Sequence, residues 1–444
     1  MATEKMQLAQ EAYNTLALEY TTNNPNSKAS CETATKSLPG GNTRTVLFYE
    51  PFPLYTERAE GCHLWDVDGH KYVDLLGEYT AGLYGHSNPV IMDAIQAALK
   101  RGLSFGSHHA YEARLAQLVR DRFSSIELVR FTNSGTEATL MALAAAKIYT
   151  NRSKIMVFEG GYHGGGFLFK SGPHPVNVPH EYLMAQYNDN NSVDGLITAN
   201  GNDIAAIIVE PMIGSGGCIL GATEFLAHLR KTATKIGAVL VFDEVMTSRL
   251  YSGGGVQSEL GITPDLTTLG KYIGGGMSFG AFGGKTEIMS IYDPRTTSTV
   301  RKGASVPHAG TFNNNVLTMA AGSAGLEKVF SPDVARTLHD RGEGFRGRLN
   351  AIAKGTSLRV TGCGSIMNLH FIAVPLEQIQ NVRDLENQNT FLLDVLHLYM
   401  LNQGFYMARR GFIALSLELT ATELDGFVEA LQMFVRQYSS LVSE

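Results

Sequence analysis

The side chains best placed to do chemistry in this chain are Lys271 and Asp243. Lys271 lies in the run Pro-Asp-Leu-Thr-Thr-Leu-Gly-Lys-Tyr-Ile-Gly-Gly-Gly (264–276), and Asp243 closes the apolar run Val239-Leu-Val-Phe242. An amine on a glycine-walled loop can attack a carbonyl carbon. A carboxylate at the tip of a buried strand can make a charge-assisted hydrogen bond to a protonated ring nitrogen. Either residue alone also reads as a solvated loop lysine or a strand-end cap, so the rest of the constellation decides.

Three further segments carry chemistry. Phe131-Thr-Asn-Ser-Gly-Thr-Glu-Ala138 runs from a strand through small residues into a helix. The free N–H groups of a helix start, beside the Ser134 and Thr136 hydroxyls, make an anion site. It is not a Walker A loop, and alone it would be an ordinary N-cap. Gly160-Gly-Tyr-His-Gly164 leaves the strand 154–158, where the Tyr162 ring can stack on a planar group, with Val245 packing on the opposite face. Gly310-Thr-Phe-Asn-Asn-Asn315 presents a hydroxyl, Thr311, on a tight loop that could reach a phosphate. A lysine, a strand-end carboxylate, a stacking ring and anion-binding hydroxyls are together what pyridoxal phosphate requires, since its ring withdraws electrons while the nitrogen keeps a proton.

The elements that must position these residues alternate. Helical patterns at 88–100, 111–123, 136–150 and 223–236 are interleaved with apolar runs at 129–132, 154–158, 204–210 and 238–245. Such alternation predicts a mainly parallel sheet covered by helices on both faces, with ligands at the carboxyl ends of strands. Before it, residues 5–20 read as a helix ended by the polar stretch 21–27, and 61–76 as a hairpin. After it come a helix at 315–330 and an α+β unit: a helix at 332–354, strands at 357–360 and 367–371, and helices at 382–403 and 421–441. The expected division is 1–75, an N-terminal arm joining the small domain; 76–331, the large cofactor-binding domain; and 332–444, the small domain.

Composition removes other classes. With 444 residues, 44% hydrophobic and 18% charged, the chain reads as an ordinary soluble globular protein of two or three domains. A net charge of −6 offers no basic field to nucleic acid. Cys31, Cys62, Cys218 and Cys363 form no C-x-x-C pair, which argues against a disulfide framework or a zinc site. His108-His109 with Glu112 lacks a third ligand at a useful spacing, so no metal site is expected, and Asp66 and Asp68 read as turn carboxylates and not an acid–base pair. No signal-peptide core or membrane-length apolar run occurs, and a cytoplasmic location is expected.

Taken together, FTNSGTEA, GGYHGG, VEPM, VFDEV, TTLGKYIGGG and GTFNNN resemble the class III aminotransferases, a group that includes glutamate-1-semialdehyde aminomutase. The similarity runs from about residue 35 to 435. It implies a fold-type I pyridoxal-phosphate transferase: an α/β protein with a mainly parallel seven-stranded-type sheet in a large domain and a smaller α+β domain. It also implies that Ser134, Gly135 and Thr136 cup the phosphate, Tyr162 stacks on the ring, and Asp243 binds the pyridine nitrogen. Lys271 would be the Schiff-base lysine, with His163, Glu210 and Val245 completing the cofactor shell. Thr311 would serve the phosphate of a neighbouring subunit, hence a homodimer.

The runs 41–49, 78–86, 242–250 and 410–416 are most similar to the bacterial β-phenylalanine aminotransferases, in which arginines matching Arg44 and Arg410 grip substrate carboxylates. The expected reaction moves an amino group from a β-amino acid, aromatic by that likeness, to a 2-oxo acid such as 2-oxoglutarate. An aminomutase, an amine:pyruvate-type transaminase and a non-catalytic binding protein of the same fold are the alternatives. One departure stands out: the stretch 293–308 is longer than the usual connection before Gly-Thr-Phe and is expected to reshape the pocket mouth.

Overall fold

The structure is a computed structural model that describes residues 2–295 and 306–443. Residues 296–305, the heart of the long connection singled out above, lie outside the described residues. The chain divides into two compact units. One comprises residues 89–340 and 379–384; the other comprises 1–88, 341–378 and 385–444.

Strands are labelled in chain order: β1 Thr56–Glu60, β2 His63–Asp66, β3 Lys71–Asp74, β4 Leu128–Thr132, β5 Lys154–Phe158, β6 Glu181–Ala185, β7 Ile204–Val209, β8 Val239–Asp243, β9 Leu266–Gly270, β10 Gly280–Gly284, β11 Leu358–Cys363, β12 Ile366–Phe371, β13 Phe405–Tyr406 and β14 Phe412–Ala414. The unit centred on 89–340 is built on a seven-stranded sheet in the order β4-β10-β9-β8-β7-β5-β6. β6, β5, β7, β8 and β9 run parallel, while β10 pairs antiparallel with β9 and β4 on either side. This is the mostly parallel α/β sheet of the expected fold class. β7, β8 and β9 are buried along their whole length, as strands covered on both faces must be.

The helix Gly135–Thr150 (α1) packs on this sheet through Ala138, Ala142, Ala145 and Ala146, which join Val157, Ile208, Val241 and Phe282 in one core cluster. Four alanines on one face let the helix axis approach the strands closely, and each adds little side-chain entropy cost. Asn151 closes α1 in the left-handed conformation with φ +53°.

Three strands of this seven-stranded sheet fall outside the runs expected from patterning: β6, β9 and β10. β10, Gly-Ala-Phe-Gly-Gly, has low strand propensity. Its glycines are there because neighbours leave no room. A Cβ on Gly280 would sit 2.0 Å from Ser134 O, and one on Gly284 2.1 Å from Asp265 O.

The other unit holds a four-stranded sheet β1-β2-β3-β13 and a three-stranded sheet β11-β12-β14. The expected hairpin is present as β2 and β3, and β1 extends it. The expected break within 21–27 is present, but it is confined to Asn24 and the first helix runs past residue 20. It continues to Asn23, with the Thr22 hydroxyl donating to Leu18 O, and a second helix starts at Pro25. Pro at a first helical turn lacks only a donor that would be unpaired there anyway. The helix expected from 382 begins at Thr390, where Asn389 Oδ1 caps it by accepting the Leu392 N–H. The helix expected at 421–441 ends at Gln437.

Candidate active site

The carboxyl ends of β8 and β9 and the start of α1 meet around Asp243. Parallel pairing sets Asp243 beside Thr268. Asp243 is 4% exposed, and its Oδ1 accepts the Thr268 hydroxyl at 3.0 Å and the Val245 N–H at 3.1 Å. Oδ2 lies 2.7 Å from His163 Nδ1, which donates to it. A carboxylate has about four acceptor positions, so one remains for a further donor. Thr268 was not among the residues expected from sequence; the signal for it is the pairing register, which patterning does not supply.

His163 is buried, and its Nε2 has no partner among the described residues. Burial works against a charged imidazole. The hydrogen bond and charge of Asp243, with Glu210 behind them, outweigh it and leave the His163 pKa raised. Glu210 ends the stretch 204–210 and takes the N–H groups of Tyr162 (2.9 Å) and Gly214 (3.1 Å) on its two oxygens. Burial first, helped by the Asp243 charge and opposed by His163, pushes its carboxyl up to about 7. Glu210 thus anchors the backbone of the loop that carries Tyr162. That ring is 43% exposed although both its neighbours are buried.

Val245 ties the remaining pieces together. A Cβ on Gly135 would meet Val245 Cγ2 at 3.0 Å, and one on Gly270 would meet Val245 Cγ1 at 3.2 Å. Val245 therefore sits between the start of α1 and the residue preceding Lys271. Lys271 itself has φ +56°, a left-handed conformation unfavourable for a side chain and commonly kept where function requires it. Ser134 caps α1, its Oγ accepting the Glu137 N–H at 3.2 Å. The Thr136 hydroxyl accepts the Gly165 N–H at 3.1 Å, and Gly164, with φ +114°, is packed so tightly on Thr136 that a Cβ would lie 2.3 Å from its Oγ1. Asn133 Nδ2 donates to Asn313 Oδ1 at 3.0 Å, which brings the 310–315 loop to the same helix start. Thr311 on that loop is exposed, as is Phe312 at 61%.

Arg44 and Arg410 belong to the other unit, where both guanidinium groups lie near one ring. Arg44 lies 5.9 Å and Arg410 5.5 Å from the Tyr79 centroid. Arg44 is paired with Glu78, a partner that sequence reasoning missed. Gly77, Glu78, Tyr79 and Thr80 all have positive φ (+53°, +46°, +51° and +79°), a consecutive left-handed run that holds Glu78 and Tyr79 beside the arginines.

A helix start of half-buried small residues, glycines that hold Val245 beside Lys271, and a carboxylate with one acceptor position left suit an anionic, aromatic, nitrogen-containing aldehyde. Comparison with known proteins agrees. The family model described as Aminotransferase class-III matches residues 48–384. The β-phenylalanine transaminase of Variovorax paradoxus is 49% identical over 95% of this chain and 95% of its own. A solved β-phenylalanine aminotransferase structure from Variovorax paradoxus superposes with a TM-score of 0.94 at 48% identity, covering 98% of this chain and 99% of that one. A transaminase solved with PLP bound superposes with a TM-score of 0.84 at 28% identity, over 94% and 98% of the two chains.

Proposed function

We propose that this chain, which belongs to the class III aminotransferase family and is a pyridoxal-phosphate-dependent aminotransferase, takes its amino group from an aromatic β-amino acid of the β-phenylalanine type. The acceptor is a 2-oxo acid such as 2-oxoglutarate. The observation that carries the substrate class is the pair Arg44 and Arg410, 5.9 and 5.5 Å from the Tyr79 ring centroid. Two guanidinium groups are suited to carboxylates, and an aromatic ring beside them suits an aryl side chain.

In this reading the start of α1, with Ser134, Gly135 and Thr136, holds the cofactor phosphate. Tyr162 and Val245 hold its ring, and the remaining acceptor position of Asp243 holds the proton on its nitrogen. Bound there, pyridoxal phosphate supplies the electron sink that makes the amine-bearing carbon acidic. Lys271 Nζ would hold the cofactor through its aldehyde carbon, and its free amine would move the proton taken from the amine-bearing carbon. His163 orients Asp243, and Glu210 orients the loop bearing Tyr162. The enzyme works as a homodimer. Thr311 and the exposed Phe312 stand on a loop where His109 Nε2 bonds Asn314 O at 2.7 Å, and Phe105, 40% exposed, packs at 5.7 Å from the His109 ring. That exposed apolar surface supports the dimer.

The test is to present β-phenylalanine, an α-amino acid and a simple amine to the enzyme one at a time. Each half-reaction is followed by the change in cofactor absorbance, in wild type and in Arg44→Ala and Arg410→Ala. Losing a guanidinium that pairs a carboxylate costs about 2–4 kcal/mol in kcat/KM for acid substrates and little for the amine. Wild-type rates in both variants with both acids would overturn the β-amino acid assignment. Turnover of one substrate without any acceptor would point to an aminomutase.

A further inference from the structure

Away from this site, the unit that includes residues 1–88 brings together three side chains of different ligand type. Cys62 lies in the two-residue turn between β1 and β2, His63 begins β2, and Glu423 lies in the first turn of the helix Ala421–Gln437. One donor atom from each lies within 4.8 Å of the other two. The Cys62 Sγ is 3.7 Å from His63 Nδ1, and His63 Nε2 is 3.9 Å from Glu423 Oε1. The geometry points to a zinc-class cation site formed by the Cys62 thiolate, one His63 nitrogen and Glu423 Oε1, with a fourth position left to water.

The donor set is the first argument. Thiolate, imidazole and carboxylate are the three ligand types zinc takes, with bond lengths that place tetrahedral neighbours about 3.5 Å apart. Ligand atoms already within 4.8 Å need to close by about an ångström, which side-chain torsions supply. Preorganisation is the second. Glu423 is held by a capping box in which its Oε2 accepts the Thr420 N–H at 2.9 Å, so Oε1 is the oxygen turned toward His63. The Cys62 turn is fixed by backbone bonds: Cys62 O accepts the Asp74 N–H at 2.8 Å, and Gly61 O accepts the His86 N–H at 2.9 Å. Access is the third. Cys62 is buried, but the His63 and Glu423 side chains keep 22% and 17% exposure, which leaves an entry on one side.

Binding has a cost. Burial first, and then the Glu423 charge, push the Cys62 thiol up to about 11, so the ion must displace a proton as it enters. The site would tie the β1–β2 turn to the helix at 421–437. It is independent of the aminotransferase reading, because none of its three residues is assigned a role there.

The experiment uses the holoenzyme, stripped of adventitious metal by chelator, dialysed, and titrated with Cd²⁺ and Zn²⁺. Cd²⁺ should produce a thiolate-to-metal charge-transfer band that saturates at one ion per chain, and Zn²⁺ should compete for it and raise the melting temperature. Cys62→Ser should remove the band. His63→Gln and Glu423→Gln should weaken binding by about tenfold or more. Glu423→Gln retains the capping box, so a loss there reports the ligand and not the helix cap. No band in the wild type, or a band of full amplitude in Cys62→Ser, overturns the site.

Discussion

At the scale of single residues, the most telling number in the candidate site is the φ of Lys271, +56°. Only glycine adopts that conformation freely, so a lysine there is held against a local cost by its surroundings. The cost separates chemistry from stability. Lys271→Ala is expected to abolish turnover while leaving pyridoxal phosphate bound non-covalently, and borohydride reduction should no longer fix it to the protein. Lys271→Gly should be equally inactive but more stable than Lys271→Ala by about 1 kcal/mol, because it relieves the strain. Covalent fixation in either variant would place the cofactor on a different lysine.

Glu210 and His163 make a second residue-scale prediction. The Glu210 carboxyl has its pKa at about 7 in the fold, against an ordinary value of 4.5 when unfolded. The stability it contributes is present below 4.5 and lost as pH rises through about 7. The raised pKa of His163 acts in the same sense: its contribution is present below 6.5 and lost as pH rises through the folded value. The cofactor-free protein should therefore melt at a higher temperature near about pH 5.5 than near about pH 8, and Glu210→Gln should flatten the difference. An unchanged slope in that variant would mean Glu210 does not titrate in this window.

Among the elements, β10 shows how packing overrides propensity. Its Gly280 stands against Ser134 O, the residue that caps α1 and sits in the proposed phosphate cup. Gly280→Ala puts a methyl 2.0 Å from a backbone oxygen that cannot turn aside, so the cup and the strand must move apart. A loss of about 1–3 kcal/mol or more in stability is expected, with weakened pyridoxal phosphate affinity. Gly344→Ala is the control. It lies in the helix Pro332–Ile352 with open space around its Cβ, and should stabilise the protein by about 0.4–1 kcal/mol. Unchanged cofactor affinity in Gly280→Ala would detach β10 from the phosphate cup.

At the scale of the whole molecule, the question is whether the enzyme needs a second copy of itself. Thr311 and Phe312 are exposed on a loop tied to the start of α1 through Asn133 and Asn313. If Thr311 serves a neighbour's phosphate, Phe312→Asp should shift the protein to monomer in sedimentation analysis and reduce activity with it. Thr311→Ala should stay dimeric but bind pyridoxal phosphate less tightly. A dimer that survives Phe312→Asp at full activity would remove this loop from the interface. Among the described residues, no helix is long and apolar enough to cross a membrane.

The amino-acid sequence by itself determined the family and the fold class. The reason is that cofactor chemistry needs particular residue types at strand ends, and a doubly covered parallel sheet needs continuous apolar strands such as Ile204–Val209. It also put Lys271 and Asp243 into one argument, because both fall where such strands end. What it did not carry is whatever depends on the third dimension. β10 is a strand because Ser134 and Asp265 crowd its glycines, not because glycine favours strands. Thr268 reaches Asp243 through the register of two parallel strands, and Glu78 reaches Arg44 through a left-handed run that no local pattern announces. Cys62 and His63 meet Glu423 only because the chain folds back across more than three hundred residues, so spacing rules that look for neighbouring ligands pass over them.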